Sequence, residues 1–279
     1  MQRSLLLNQC NMSTHLNPKF NCGCQLDYQV GEQSTFIFNI GVAKTHQQAI
    51  ITESLELTPN LPYEEYIEPT LNNRFWRVNV LHQEKLRVNY QAEVELSYPN
   101  QKDFSQLPSF PLEELPLEIF KYIYPSRYCE SDSFLSLTFE KFAHLPSGYP
   151  QVSAICDWIH NQVTYLVGST DSQTSALQTF TEKQGVCRDF AHLGIAMCRA
   201  LNIPARFVSG YAHQLIPPDF HAYFEVYLDH NWYLWDPTRL VPLDGLIRIG
   251  TGRDAADVSF ATIFGDVNLE NMKLWVTSL

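Results

Sequence analysis

Three residues have the types and spacing for covalent chemistry. Cys187 stands in Gly-Val-Cys-Arg-Asp-Phe-Ala-His, residues 185–192, where a loop leads into an amphipathic run. His221 follows 34 residues later and opens the alternating stretch His-Ala-Tyr-Phe-Glu-Val-Tyr-Leu. Asp236 lies 15 residues beyond that, in Trp-Tyr-Leu-Trp-Asp-Pro-Thr. A thiol at a helix start loses its proton readily, because the free N–H groups and the helix dipole favour the thiolate. A histidine can take that proton and return it, and an aspartate can fix the histidine's tautomer and orientation. In this order the three suggest a cysteine nucleophile for acyl transfer.

Such residues work only if the elements around them bring them together. Residues 187–201 read as a helix whose apolar stripe is Phe190, Ala191, Gly194, Met197, Cys198 and Leu201, ended by Asn202-Ile203-Pro204. Asp229-His230-Asn231 is a turn signal, so strands 221–228 and 232–236 should form an antiparallel hairpin. Residue 221 then lies opposite one near 236–239, which makes His221 and Asp236 cross-strand or diagonal neighbours. Each residue also has a blander role open to it: a buried structural thiol, a surface histidine, an Asp-Pro turn. Cys198 and Cys156 fit the structural reading. His192 is about 140° around the helix from Cys187 and should point away from it. That leaves His213, beyond a strand end, as the one rival to His221.

The remaining chain divides by pattern. Residues 1–22 read as an irregular leader. Residues 23–100 carry period-2 strand signals, including Phe36–Ile40, Ala49–Leu57, Arg74–Val80 and Arg87–Leu96, and suggest an antiparallel β-sandwich. Residues 101–130 form a proline-rich connection, and 131–279 a second domain that starts helical. Helices are expected over Ser133–Leu145 and from Pro150 to Val163, and a further strand over Arg206–Tyr211.

Composition narrows the class. At 45% hydrophobic and 18% charged the chain should bury a substantial core. Its net charge of −11 argues against nucleic acid or an anionic membrane as partner. The apolar run in MQRSLLLNQCNMS is too short for a signal peptide, and no segment approaches the roughly 18–20 apolar residues of a membrane helix. With seven cysteines, an odd number, the expectation is a cytoplasmic protein with reduced thiols. Cys22-Gly23-Cys24 with Cys10 lacks the spacing of a zinc site, and no phosphate-binding loop is present, so neither metal nor cofactor is expected.

On these motifs, residues 150–265 resemble the transglutaminase-like core domain, a papain-like thiol-enzyme fold. The matching segments are 185–192, Leu-Asn-Ile-Pro-Ala-Arg-Phe-Val-Ser-Gly-Tyr at 201–211, His-Ala-Tyr-Phe-Glu-Val at 221–226, Trp-Asp-Pro-Thr at 235–238 and Gly-Arg-Asp-Ala-Ala-Asp-Val at 252–258. The segment from about 26 to 97 is similar to the β-domain that precedes this core in bacterial transglutaminase-like cysteine proteases. The resemblance implies an α+β fold, a sandwich followed by helices packed on an antiparallel sheet. It implies a triad of Cys187, His221 and Asp236, a thioester intermediate, and a peptide or protein amide as substrate. The Cys187 backbone N–H would form half an oxyanion hole. Tyr165 is the candidate for the other half, with core packing as its alternative role. Arg206 would pair with Asp189 in a structural role. The chain is too short for the extra β-domains and calcium sites of mammalian transglutaminases, and it has no EF-hand-like loop. Hydrolysis is therefore favoured over cross-linking. The alternatives are a protein-glutamine transamidase and a catalytically silent peptide-binding module.

Overall fold

The protein is described by a computed structural model over residues 17–81, 85–97 and 107–279. The N-terminal part supplies strands β1 (Lys19–Val30), β2 (Ser34–Phe38), β3 (Gln48–Thr58), β4 (Tyr63–Ile67), β5 (Arg74–Val80) and β6 (Lys85–Leu96). The expected alternation is present. In β6, Leu86, Val88, Tyr90, Ala92, Val94 and Leu96 are buried in turn, and in β5 Trp76, Val78 and Val80 are. Helices α1 (Leu135–Phe142) and α2 (Tyr149–Gln162), the two-residue strand β7 (Thr164–Tyr165), α3 (Ala176–Glu182), the short strand β8 (Gln184–Gly185) and α4 (Cys187–Ala200) follow. Then come β9 (Ala205–Ala212), β10 (His221–Leu228), β11 (Asn231–Trp235), β12 (Leu246–Gly252), β13 (Ala261–Phe264) and β14 (Val267–Ser278).

Three four-stranded antiparallel sheets result. Two form the sandwich, in orders β14-β1-β6-β3 and β13-β2-β5-β4, and the third, β11-β10-β9-β12, carries α4 on one face. The architecture is α+β, as expected. The domain limits differ. Of the expected leader, residues 1–16 lie outside the described residues, as does Cys10, while Lys19–Cys22 already belong to β1. The C-terminal strands β13 and β14 return to the sandwich and add one edge to each of its sheets. They alternate weakly, because edge strands bury little, and so carry no clear sequence signal.

The core sheet rests on both layers. Phe224 faces α4 so closely that a Cβ on Gly194 would lie 2.6 Å from its ring. Farther along the sheet Tyr211, Ile247 and Ile249 join the sandwich core, with the Tyr211 hydroxyl donating to the Ile40 carbonyl at 2.7 Å. The sheet therefore holds the two domains together. Among the described residues no helix is long and apolar enough to cross a membrane.

α4 departs from the amphipathic reading. From Asp189 to Ala200 it is buried on every side. Its polar residues look like a solvent face in sequence but find partners inside, although His192 Nδ1 is buried without one. His192 Nε2 accepts from the Ala255 N–H at 3.1 Å, its ring stacked on Tyr128. The Arg199 guanidinium donates to the carbonyls of Ala205, Tyr124 and Arg253. Buried polar groups survive only with such partners.

Candidate active site

Cys187 is the first residue of α4, half-buried, and its thiol lies 3.9 Å from the Phe220 carbonyl. The helix start is shaped by Asp189. Its carboxylate accepts from the Val186 N–H at 2.9 Å and from the Thr170 hydroxyl at 2.6 Å, and pairs with the neighbouring Arg188 at 2.9 Å. A carboxylate capping the first turn satisfies an N–H that the helix leaves free. Gly185 makes room for it, since a Cβ there would stand 2.8 Å from the Asp189 Cβ. Asp189 therefore has local partners, and the expected Arg206–Asp189 pair does not form. Arg206 lies on β9 opposite Glu225 of β10 and bonds that carboxylate at 2.7 Å.

His221 begins β10 and is 1% exposed. Its Nε2 meets Asp236 Oδ2 at 2.7 Å. The hairpin register places Phe224 opposite Trp235, so the strand partner of residue 221 falls just beyond Asp236, within the expected range. Asp236 also fills the blander role: its Oδ1 accepts from the Thr238 N–H at 2.9 Å and the Thr238 hydroxyl at 2.7 Å, closing the Asp-Pro-Thr turn. One oxygen holds the turn and the other holds the histidine, so the orientation of the imidazole is tied to the backbone.

The other ring nitrogen, Nδ1, is buried and has no conventional hydrogen bond. It is left for the Cys187 thiol. Burial alone would lower the His221 pKa; the bond to Asp236 and the adjacent Cys187 override it and raise it to about 10. The imidazole therefore favours holding a proton at neutral pH. Tyr165, at the end of β7, brings its hydroxyl against both the backbone and the side chain of Cys187; burial and the neighbouring thiol push its own pKa up. Its ring also packs on Phe190, at 5.8 Å, so packing and site contact coexist. β7 pairs in parallel with β8 immediately before Cys187, and this pairing brings Tyr165 to the site. Asp219, two residues before His221, is raised by burial, against the pull of the Phe220 N–H and the His221 charge. It was not singled out in the sequence, where Pro-Pro-Asp reads as an ordinary turn.

His213 is not at the site. It sits on Phe20, 5.1 Å between rings, and bonds the Val276 carbonyl in the sandwich. Cys156 and Cys198 are buried core thiols, and Cys22 and Cys24 lie inside the sandwich. Among the described residues no group of three His, Cys, Asp or Glu is arranged to hold a metal ion.

Two family models match this chain: the transglutaminase-like superfamily core over residues 137–237, and the bacterial transglutaminase N-terminal domain over 18–117. Among solved structures, a candidate cysteine protease from Cytophaga hutchinsonii is 46% identical, with a TM-score of 0.91 covering 94% of this chain and 91% of that one. An uncharacterized protein of Mycobacterium leprae is 29% identical over 144 residues, 48% of this chain and 51% of its own length. An uncharacterized protein of Mycobacterium tuberculosis (strain H37Rv) is 35% identical over 115 residues, 36% and 37% respectively. The chain thus spans about half the length, or less, of these curated relatives. The core match contains Cys187, His221 and Asp236, the N-terminal match covers most of the sandwich, and the Cytophaga protein is alike over nearly its whole length: the chain belongs to the transglutaminase-like superfamily.

Proposed function

We propose that the protein is a thiol amidase or peptidase. The observation that carries this reading is the clamped imidazole: Asp236 holds Nε2 at 2.7 Å, while buried Nδ1 is left for the thiol at the start of α4. Cys187 passes its proton to His221, and the thiolate attacks an amide carbonyl. The tetrahedral oxyanion forms beside the Cys187 N–H. His221 then gives its proton to the leaving amine, so the C–N bond breaks and a thioester remains on Cys187. Water, deprotonated by the same imidazole, hydrolyses the thioester and regenerates the thiol. Exposed Leu166 and Val167 after Tyr165, and exposed Ile216 shortly before Asp219, suit an extended apolar peptide along the site. The likeness to the Cytophaga candidate cysteine protease supports the same chemistry.

The test is alkylation by iodoacetamide as a function of pH, with modified residues mapped by mass spectrometry. Cys187 is expected to label rapidly below pH 7, and His221→Ala to slow that labelling by at least tenfold. Labelling of Cys187 that follows an ordinary thiol, with a midpoint near about 8.5, would remove the basis for the reading.

Tyr165 supplies a finer test. If its hydroxyl donates to the oxyanion, Tyr165→Phe lowers kcat by about 10- to 100-fold and leaves KM nearly unchanged. A Phe variant with wild-type kcat would confine Tyr165 to packing on Phe190.

A further inference from the structure

A second site lies on the face of the core sheet turned away from α4, and it is independent of the catalytic reading. There Glu225, 2% exposed, is shared by two arginines. Arg206 bonds one carboxylate oxygen at 2.7 Å, and Arg248, on β12, bonds the other. Both guanidiniums are largely buried, and Arg206 stacks on Trp232 at 4.0 Å. Two cations face one anion, so the trio leaves one positive charge uncompensated in a desolvated place. Such a charge is costly unless something pairs it. Arg248 Nε is also buried without a partner. Burial pulls both guanidiniums down, each to about 10.

Both arginines line a cavity of about 540 Å³ between the domains. The sandwich contributes Lys44, His46 and Asn73, and β12 contributes Thr251. No Asp or Glu lines it, in a chain with 30 acidic and 19 basic residues. Glu53 lies near enough to feel the Lys44 charge, but it is itself held by Arg74 at 2.8 Å. Arg248 also borders a neighbouring cavity of about 570 Å³, but Glu225 and Asp244 line that one too, so the side with Lys44 and His46 is the one suited to an anion. The walls are fixed: Asn73 and Thr251 exchange hydrogen bonds of 2.7 and 2.9 Å, and the Ala43 N–H donates to the Arg248 carbonyl at 2.9 Å.

We propose that this cavity binds a small molecule bearing a carboxylate or phosphate, its anionic head on Arg248 and Arg206 and flanked by Lys44 and His46. Guanidinium forks match the paired oxygens of either group. The ligand bridges the sandwich to the sheet that carries His221.

The full chain is heated with inorganic phosphate, with succinate, or with sodium chloride at matched ionic strength. Phosphate, succinate or both are expected to raise the unfolding midpoint by about 2–4 °C above chloride. A response to one alone names the head group. The double variant Lys44→Ala/His46→Ala changes only exposed side chains and should fold normally; it is expected to weaken binding about tenfold. Arg248→Lys keeps the charge but loses the fork and should weaken it similarly. Equal midpoints in all three salts, or wild-type binding by both variants, would overturn the proposal.

Discussion

Cys187→Ala is expected to fold as the wild type does and to lose amide turnover by a factor on the order of 10⁴ or more. The fold should survive because Cys187 is half-buried and its thiol meets groups of the site, the Phe220 carbonyl, Tyr165 and His221. His221→Ala should fall about as far, and the double variant no further, because a nucleophile and its base act as one unit. Asp236→Asn is the informative partial case. It keeps the size of the side chain and an oxygen for the Thr238 N–H, but it no longer stabilises an imidazolium at Nε2. Its loss should fall between about 10²- and 10⁴-fold. Turnover is read by mass spectrometry on a peptide library, with a labelled primary amine present so that transfer to an amine is scored beside hydrolysis. Undiminished cleavage by Cys187→Ala would place the nucleophile elsewhere. A wild type that neither cleaves nor transfers would favour a binding module. A product dominated by incorporated amine would make the protein a transamidase.

The candidate site was legible in sequence because each of its parts obeys a local rule. A glycine precedes the Cys187 helix, a period-2 strand begins at His221, and a two-strand turn returns the chain to Asp236. Hairpin register brings the last two together without long-range information. The sandwich was legible for the same reason, since β5 and β6 alternate cleanly. What escaped depends on distant partners. The expected pair of Arg206 with Asp189 does not form. The structure gives Asp189 to Arg188 and the Val186 N–H, and gives Arg206 to the residue facing it across the sheet. α3 is only seven residues long, below the length at which helical periodicity is visible. The all-round burial of α4 was hidden by Asp189, His192 and Arg199, which are polar in sequence and paired in space.

Stability as a function of pH should show where the Cys187 proton resides. His221 has a pKa of about 10 in the folded chain, against about 6.5 when unfolded. A raised histidine pKa adds stability that is fully present below pH 6.5 and is lost as pH climbs toward 10. Cys187 alters that count. Once its proton sits on His221, the folded pair carries one proton. The unfolded pair also carries one between about pH 6.5 and 8.5, where the imidazole is neutral and the thiol intact. This pair should therefore add nothing to the slope of wild-type stability across this window. Cys187→Ala removes the thiol's share of the raised His221 pKa and keeps the bond to Asp236; as long as that bond holds the imidazolium, the folded variant carries one proton against none in the unfolded chain. Stability of that variant should fall more steeply than that of the wild type, by up to about 1.4 kcal/mol per pH unit. The buried thiols of Cys22, Cys24, Cys129, Cys156 and Cys198, all pushed up by burial, lower the stability of both proteins as pH nears about 8.5, and the buried phenols of Tyr28, Tyr90 and Tyr211 do so at higher pH, so only the difference between the two proteins reports on the site. Denaturant midpoints at pH 6.5, 7.5 and 8.5 for both proteins make the comparison. Parallel curves would mean either that Cys187 keeps its proton beside a charged imidazole or that Asp236 without the thiol does not keep the imidazole charged, and would leave the ion pair without this support.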